Sequence, residues 1–320
     1  MQSVALAKER PASRSRSLAV APRIRVGVSG WRYTPWRGVF YPEGLPQSRE
    51  LWFAARSFQA VELNGSFYSL QRPEYFEQWY CDTPADFVFA VKGPRFITHM
   101  KRLKDSETPL ANFFASGVFK LREKLGPILW QLPPTFRYEH DRLANFLHML
   151  PTTTARALSC ARRRDYRLKG RACLSIDADR PLRHAIEIRH PSFCDPRFIQ
   201  LLRECNVALV VAETAGKFPL MDDVTADFMY LRLHGDQELY RSGYSDRALK
   251  RWASRIQAWR QAGSREIFCF FDNTDVKLRA PFDARKLMQF LGLPVPIVPQ
   301  METRARRATK QRPRRSVPKQ

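Results

Sequence analysis

Three pairs of polar residues stand two apart at the ends of apolar runs: Glu62-x-Asn64, Glu187-x-Arg189 and Arg232-x-His234. In a strand successive side chains alternate between faces, so each pair shares one face. The stretch Ala185-Ile186-Glu187-Ile188-Arg189 thus turns Ile186 and Ile188 one way and sets a carboxylate beside a guanidinium on the other. Buried charges persist where they meet partners, which makes this face either a structural ion pair or the floor of a site. Lys92, Gln131 and Asp272-Asn273 close three further apolar runs in the same manner. One such residue is more often a satisfied core group than a catalyst. Six strand ends sharing the trait point to a site.

The chemistry these groups offer is anion recognition with proton transfer. Lys92, Arg189 and Arg232 supply fixed positive charge, with His99, His190 and His234 beside them. Arg presents a planar fork of donors that suits phosphate or carboxylate. Glu187, Glu62 and His234 are the candidate catalytic groups, able to take and return a proton. Asn64, Tyr68, Lys92, His99, Gln131, Arg189, His190, Arg232 and Asn273 are the candidate substrate-binding groups. Cations outnumber carboxylates in this set, so an anionic ligand is expected. No metal and no cofactor is assigned. The chain lacks a His-x-His or His-Glu-x-x-His pair, and no Gly-x-Gly-x-x-Gly or P-loop follows a strand. Ser29 is not a nucleophile elbow, because Trp31 stands where that turn needs glycine. A rim of aromatics, Trp31, Tyr33, Trp36, Tyr41, Phe67, Tyr68, Tyr240 and Tyr244, could stack on a ligand or simply pack.

Eight short apolar runs must position these residues: 24–28, 58–63, 87–92, 127–132, 185–189, 207–212, 228–233 and 266–271. Helical spacing separates most of them, over 49–57, from Pro73 onward, and over 112–124, 141–150, 197–204, 245–261 and 281–291. Residues 96–99 read as a loop. The Arg-rich passage 155–183 reads as a helix over 155–164, then a hairpin or loop over 168–176. Strand and helix in alternation predict an α/β fold, a single (β/α)8 TIM-type barrel over residues 24–295, with a doubly wound sheet as the alternative. In such a barrel the site lies at the C-terminal strand ends, where the polar residues fall.

Net charge is +23, from 54 Lys plus Arg against 31 Asp plus Glu. Residues 1–23 carry +4 and residues 301–320 carry +7, which leaves +12 on the body. The arm 1–23 and the tail 296–320 are expected to be disordered. A basic body favours polyanionic partners, although Arg-rich chains can be basic without binding any. Six cysteines without a Cys-x-x-Cys pair read as reduced thiols of a cytoplasmic protein. No apolar run approaches a membrane span, so no membrane partner is expected.

Several motifs together resemble one family. GVSGWRYTPWRGVFYP, VELNGSFY, RPEYFEQW, TPADFVFAVKGPRFITH, GPILWQLPPTF, HAIEIRHPSF, YLRLHG and FFDNTD occur in order between Arg25 and Gly292, and this set is similar to the YecE-like family, a domain of unknown function. The resemblance implies a TIM-type barrel without an established activity, for which a structural likeness to endonuclease IV-type DNA-repair barrels has been proposed. Its recurrent polar positions fall on Glu62, Asn64, Tyr68, Lys92, His99, Gln131, Glu187, Arg189, His190, Arg232, His234 and Asn273. Asp272 stands where the family commonly has Asn, and the Arg-rich passage departs from the pattern. Two functions from different classes follow. One is an enzyme on a phosphate-bearing substrate, a hydrolase or phosphoesterase acting on nucleotides or nucleic acid. The other is a non-catalytic nucleic-acid-binding protein using the basic tails and barrel surface.

Overall fold

The computed structural model describes residues 23–239, 242–263, 265–273 and 278–295. The basic arm up to residue 22, the whole basic tail 296–320 and Tyr240 lie outside the described residues. Eight strands, β1 (Ile24–Ser29), β2 (Ala60–Leu63), β3 (Val88–Lys92), β4 (Leu125–Gln131), β5 (His184–Glu187), β6 (Ala208–Glu213), β7 (Phe228–Leu233) and β8 (Glu266–Phe271), pair in sequence order and close on themselves. Every pairing is parallel, including β1 with β8. The α/β barrel expected from the sequence is the observed fold, and the open sheet is not.

Period-two alternation decides what fills the interior. Ala60, Ala90, Ala185, Ala208 and Ala212 face inward from β2, β3, β5 and β6, opposite Phe228, Tyr230, Phe268 and Phe270 from β7 and β8. Large rings from one side thus meet small residues from the other, which packs a barrel of this size solid. The outward faces form the larger core beneath the helices. Two residues beyond the last apolar layer, the same alternation brings Ser29, Glu62, Lys92, Gln131, Glu187 and Arg232 inward at the C-terminal end.

Local chemistry sets most helix starts. Pro73 and Pro196 open the helices Pro73–Asp82 and Pro196–Glu204, where a missing N–H costs nothing. Ser245 accepts from the Ala248 N–H ahead of Asp246–Gln261, and Thr153 accepts from Arg156 ahead of Thr154–Ala161. The helix expected over 112–124 is instead Glu107–Ala115 followed by a 3-10 stretch, Val118–Lys124. The break is Gly117, at φ 119°, where an added Cβ would lie 2.5 Å from the Pro73 backbone. The expected helix over 49–57 shortens to Glu50–Ala54, and residues 168–176 form no strand. Residues 96–99, read as a loop, lie in a single π-helical turn, Phe96–Met100. Among the described residues, no helix is long and apolar enough to cross a membrane.

Candidate functional site at the barrel mouth

Arg232 stands at the centre of the polar layer, fully buried, and all five of its N–H groups point at acceptors. Its Nε and Nη2 donate to the two oxygens of Glu62, each at 2.9 Å. Nη1 donates to Glu187 Oε2 at 2.6 Å, and Nη2 also reaches Asp272 Oδ2 at 2.9 Å. The fifth donor faces His234 Nε2 at 3.4 Å. A guanidinium can only donate, so Nε2 of His234 accepts, and the imidazole proton sits on Nδ1, 3.0 Å from Asp272 Oδ2.

The carboxylates are equally engaged. Glu62 also accepts from Ser29 Oγ at 3.0 Å and from the Tyr230 hydroxyl at 2.7 Å. Glu187 Oε1 accepts from Arg189 Nε at 2.8 Å. Burial alone would raise the Glu187 pKa, but Arg232, Arg189 and Lys92 outweigh it and hold the group well below the usual carboxylate range. Asp272 follows the same course, with burial overcome by Arg232, His234 and Lys92. Burial would lower Arg232, yet Asp272, Glu62 and Glu187 carry it well above its ordinary value. Burial and Glu62 together push the Tyr230 phenol up. Four strands are thereby tied to one cation across the floor.

Lys92 differs from Arg232. Its side chain is 8% exposed at the mouth, and its Nζ lies 4.3 Å over the Phe67 ring. Among the described residues it has no hydrogen bond and no carboxylate within 4 Å. Burial, then Arg232, lower its pKa from 10.5 to about 8, against Glu62, Glu187 and Asp272, which raise it. Gln131, in register with Glu187, is buried beside this space. His99 packs edge-on against Phe67, with ring centroids 5.1 Å apart, and its Nδ1 lies 2.8 Å from Thr98 Oγ1. Burial, then Lys92 and Arg189, bring its pKa down to about 4, so its ring is neutral at physiological pH.

Other sequence candidates take different places. Asn64 opens the short turn Gly65–Tyr68, with Oδ1 buried and unbonded among the described residues. Tyr68 stands on the rim, 71% exposed. His190 caps the turn Pro191–Phe193, accepting from the Ser192 N–H at 3.1 Å. Asn273 points away from the floor, donating to Ser242 O and to Asp283 on the helix Ala280–Phe290. The inward residue at the end of β8 is its neighbour Asp272, as alternation from Phe268 and Phe270 requires. Asp272, Ser29 and Tyr230 are the members absent from the sequence-based set, and Asp272 evens a charge count that had favoured cations. Of the rim aromatics, Trp31, Trp36, Tyr41, Phe67 and Tyr244 are buried, and the Tyr41 hydroxyl donates to Trp31 O. Among the described residues no group of three His, Cys, Asp or Glu side chains is arranged to hold a metal ion. The cation the carboxylates share is the guanidinium.

The chain is 32% identical over 129 residues to the UPF0759 protein YecE of Escherichia coli, a stretch covering 40% of this chain and 44% of that protein. It is 29% identical over 126 residues to the UPF0759 protein YunF of Bacillus subtilis, covering 38% and 44%. The matched stretch therefore spans less than half the length of these relatives. A solved DUF72 family protein from Thermotoga maritima superposes with a TM-score of 0.67 at 26% identity, covering 84% of this chain and 99% of that one. Another from Enterococcus faecalis gives 0.67 at 17% identity, covering 88% and 100%, a likeness of fold alone. The family model described as protein of unknown function DUF72 matches residues 25–308, and the chain belongs to that family.

Proposed function

We propose that the chain binds a small anionic, phosphate-bearing ligand at the C-terminal mouth of the barrel. The observation that carries this reading is Lys92, a buried ammonium at the mouth with no direct hydrogen bond or ion pair among the described residues, whereas the carboxylates beside it are bonded to Arg232. An unpaired buried charge is costly, and an arriving anion recovers that cost. Arg189, which holds Glu187 and lies 5.0 Å from the Phe218 ring, adds a second cation at the edge of the same space. Gln131 and neutral His99 add polar contacts that carry no charge of their own.

The enzymatic form of this reading is phosphoester hydrolysis. Water attacks phosphorus, the bond to the leaving alcohol breaks, and the alcohol takes the proton that water gives up. Lys92 and Arg189 hold the phosphoryl oxygens. Asp272, whose side chain is 15% exposed and which His234 orients, aligns the water. Glu62 and Glu187 serve as the fixed floor by holding Arg232. Calorimetric titration with orthophosphate and with pyrophosphate should show binding that Lys92→Met abolishes. A phosphoester panel, with and without magnesium, manganese and zinc, should show turnover that falls in Glu187→Gln. Binding that survives Lys92→Met unchanged contradicts the reading.

The net charge of +23 and a pI near 10.3 favour a second reading, a nucleic-acid-binding protein without catalysis. It predicts an affinity that falls steeply with salt and with removal of the basic tails. No binding at low salt rules it out. The six free cysteines support placing either function in the cytoplasm.

A further inference from the structure

Beside the mouth runs a groove of about 840 Å³, within the range of small-molecule sites. It shares a wall with the site, because Phe67 both lines the groove and lies beneath Lys92. Tyr68, Phe96 and Met100 line it while 71%, 42% and 65% exposed. Apolar surface gathered in one concave place marks a contact rather than ordinary scatter.

The backbone there is unusual in two ways. Phe96 and Met100 bound the π-helical turn, a form found often at functional sites. Just beyond it, Arg102, Leu103 and Asp105 hold positive φ values of 52°, 65° and 44°, a strained conformation for side-chain-bearing residues. The charges complete the picture. Lys101 is paired with Asp105 and Arg167 with Asp165, whereas Arg95 has no hydrogen bond or ion pair among the described residues. Arg167 arrives from the Arg-rich passage, held by reciprocal bonds between Asn112 and Asp165. The groove therefore offers flat apolar faces with an uncommitted cation at its edge, which suits a ring system joined to an anion.

We propose that this groove takes the planar aromatic ring of the ligand whose anion sits over Lys92, which makes that ligand nucleotide-like. The inference rests on the anion reading above and names its substrate class. The ring could come from a free nucleotide or from a nucleic-acid strand, which share this chemistry.

The test compares adenosine monophosphate with ribose phosphate, which lacks the ring, by calorimetry on the full chain. The nucleotide should bind about ten-fold tighter or more, as stacking on one aromatic side chain allows. In Phe96→Ala the ratio of the two affinities should collapse towards one, with a thermal melt confirming that this exposed position leaves the fold intact. Equal affinities in the parent protein, or a ratio that survives Phe96→Ala, overturn the groove assignment. If ribose phosphate still binds in a Lys92-dependent way, the anion reading stands while the groove fails. A Phe96-dependent preference that Lys92→Met leaves untouched keeps the groove and removes the anion reading. Absence of binding by either compound overturns both. A short single strand of adenine nucleotides separates the sources. Tighter Phe96-dependent binding than the monophosphate assigns the ring to a strand, and weaker binding assigns it to a free nucleotide. Either result keeps the ring in the groove.

Discussion

Glu62 on β2 and Arg232 on β7 meet as a two-point pair across the barrel floor, past β1 and β8, with both donor distances at 2.9 Å and both side chains buried. Arg232→Met would leave Glu62, Glu187 and Asp272 facing one another without the guanidinium they share. Breaking a buried pair by removing one partner costs about 3–5 kcal/mol. Arg232→Lys should fail to restore it, because an ammonium keeps the charge but cannot span three carboxylates with a planar fork. Chemical denaturation of the two variants checks this, and a loss below about 1 kcal/mol in either, the size of an exposed pair, contradicts it.

Acid should undo the same cluster. Glu187 and Asp272 have folded pKa values below their unfolded ones. The stability they contribute is therefore complete above the unfolded value of about 4 and is lost as pH falls through the folded values. The urea midpoint should decline steeply below about pH 4, and Asp272→Asn should show a shallower decline. Parallel declines in the two proteins would remove Asp272 from the cluster's titration.

Lys92 carries the opposite signature. Its folded pKa is about 8 against an ordinary 10.5, so the unfolded chain holds the proton more tightly between those limits and stability rises with pH across them. Below pH 8 the cost of the buried ammonium is complete. Lys92→Met should therefore stabilise the protein at neutral pH by about 2 kcal/mol while weakening anion binding. Sulfate, which keeps its charge, should bind with constant affinity between about pH 5 and 7, where neither Lys92 nor His99 titrates, and more weakly above about pH 8. A Lys92→Met variant less stable than the parent would contradict this role.

His234 should occur with its proton on Nδ1, since Nε2 faces a donor-only guanidinium. Nitrogen NMR of labelled protein distinguishes the two ring nitrogens directly. An Nε2–H signal for this residue would mean that the Arg232 fan lacks its fifth acceptor.

The barrel was legible because each strand is a short run of Val, Ile, Leu, Phe or Ala that ends in polar residues, and alternation correctly set Glu187 with Arg189 and Arg232 with His234. The floor's pairing was not. Glu62 and Arg232 are 170 positions apart, and nothing local to either shows that one carboxylate absorbs two arms of that guanidinium. Asp272 is named with Asn273 at the end of its strand but stands outside the candidate set, although counting alternation forward from Phe268 and Phe270 selects it. The helix expected over 112–124 went astray because Val118, Phe119 and Leu121 are buried at a spacing that a 3-10 stretch also satisfies, while Gly117 alone marks the turn. The π-helical turn Phe96–Met100 left no signal in the local pattern, where Pro94 marks only the end of the strand.

The most direct measurement is the pKa of Lys92 itself, followed by NMR of its labelled side chain without and with saturating orthophosphate. The free protein should show a value near 8 that rises towards the ordinary 10.5 when phosphate is bound. A value that phosphate leaves unchanged would contradict an anion seated over this lysine.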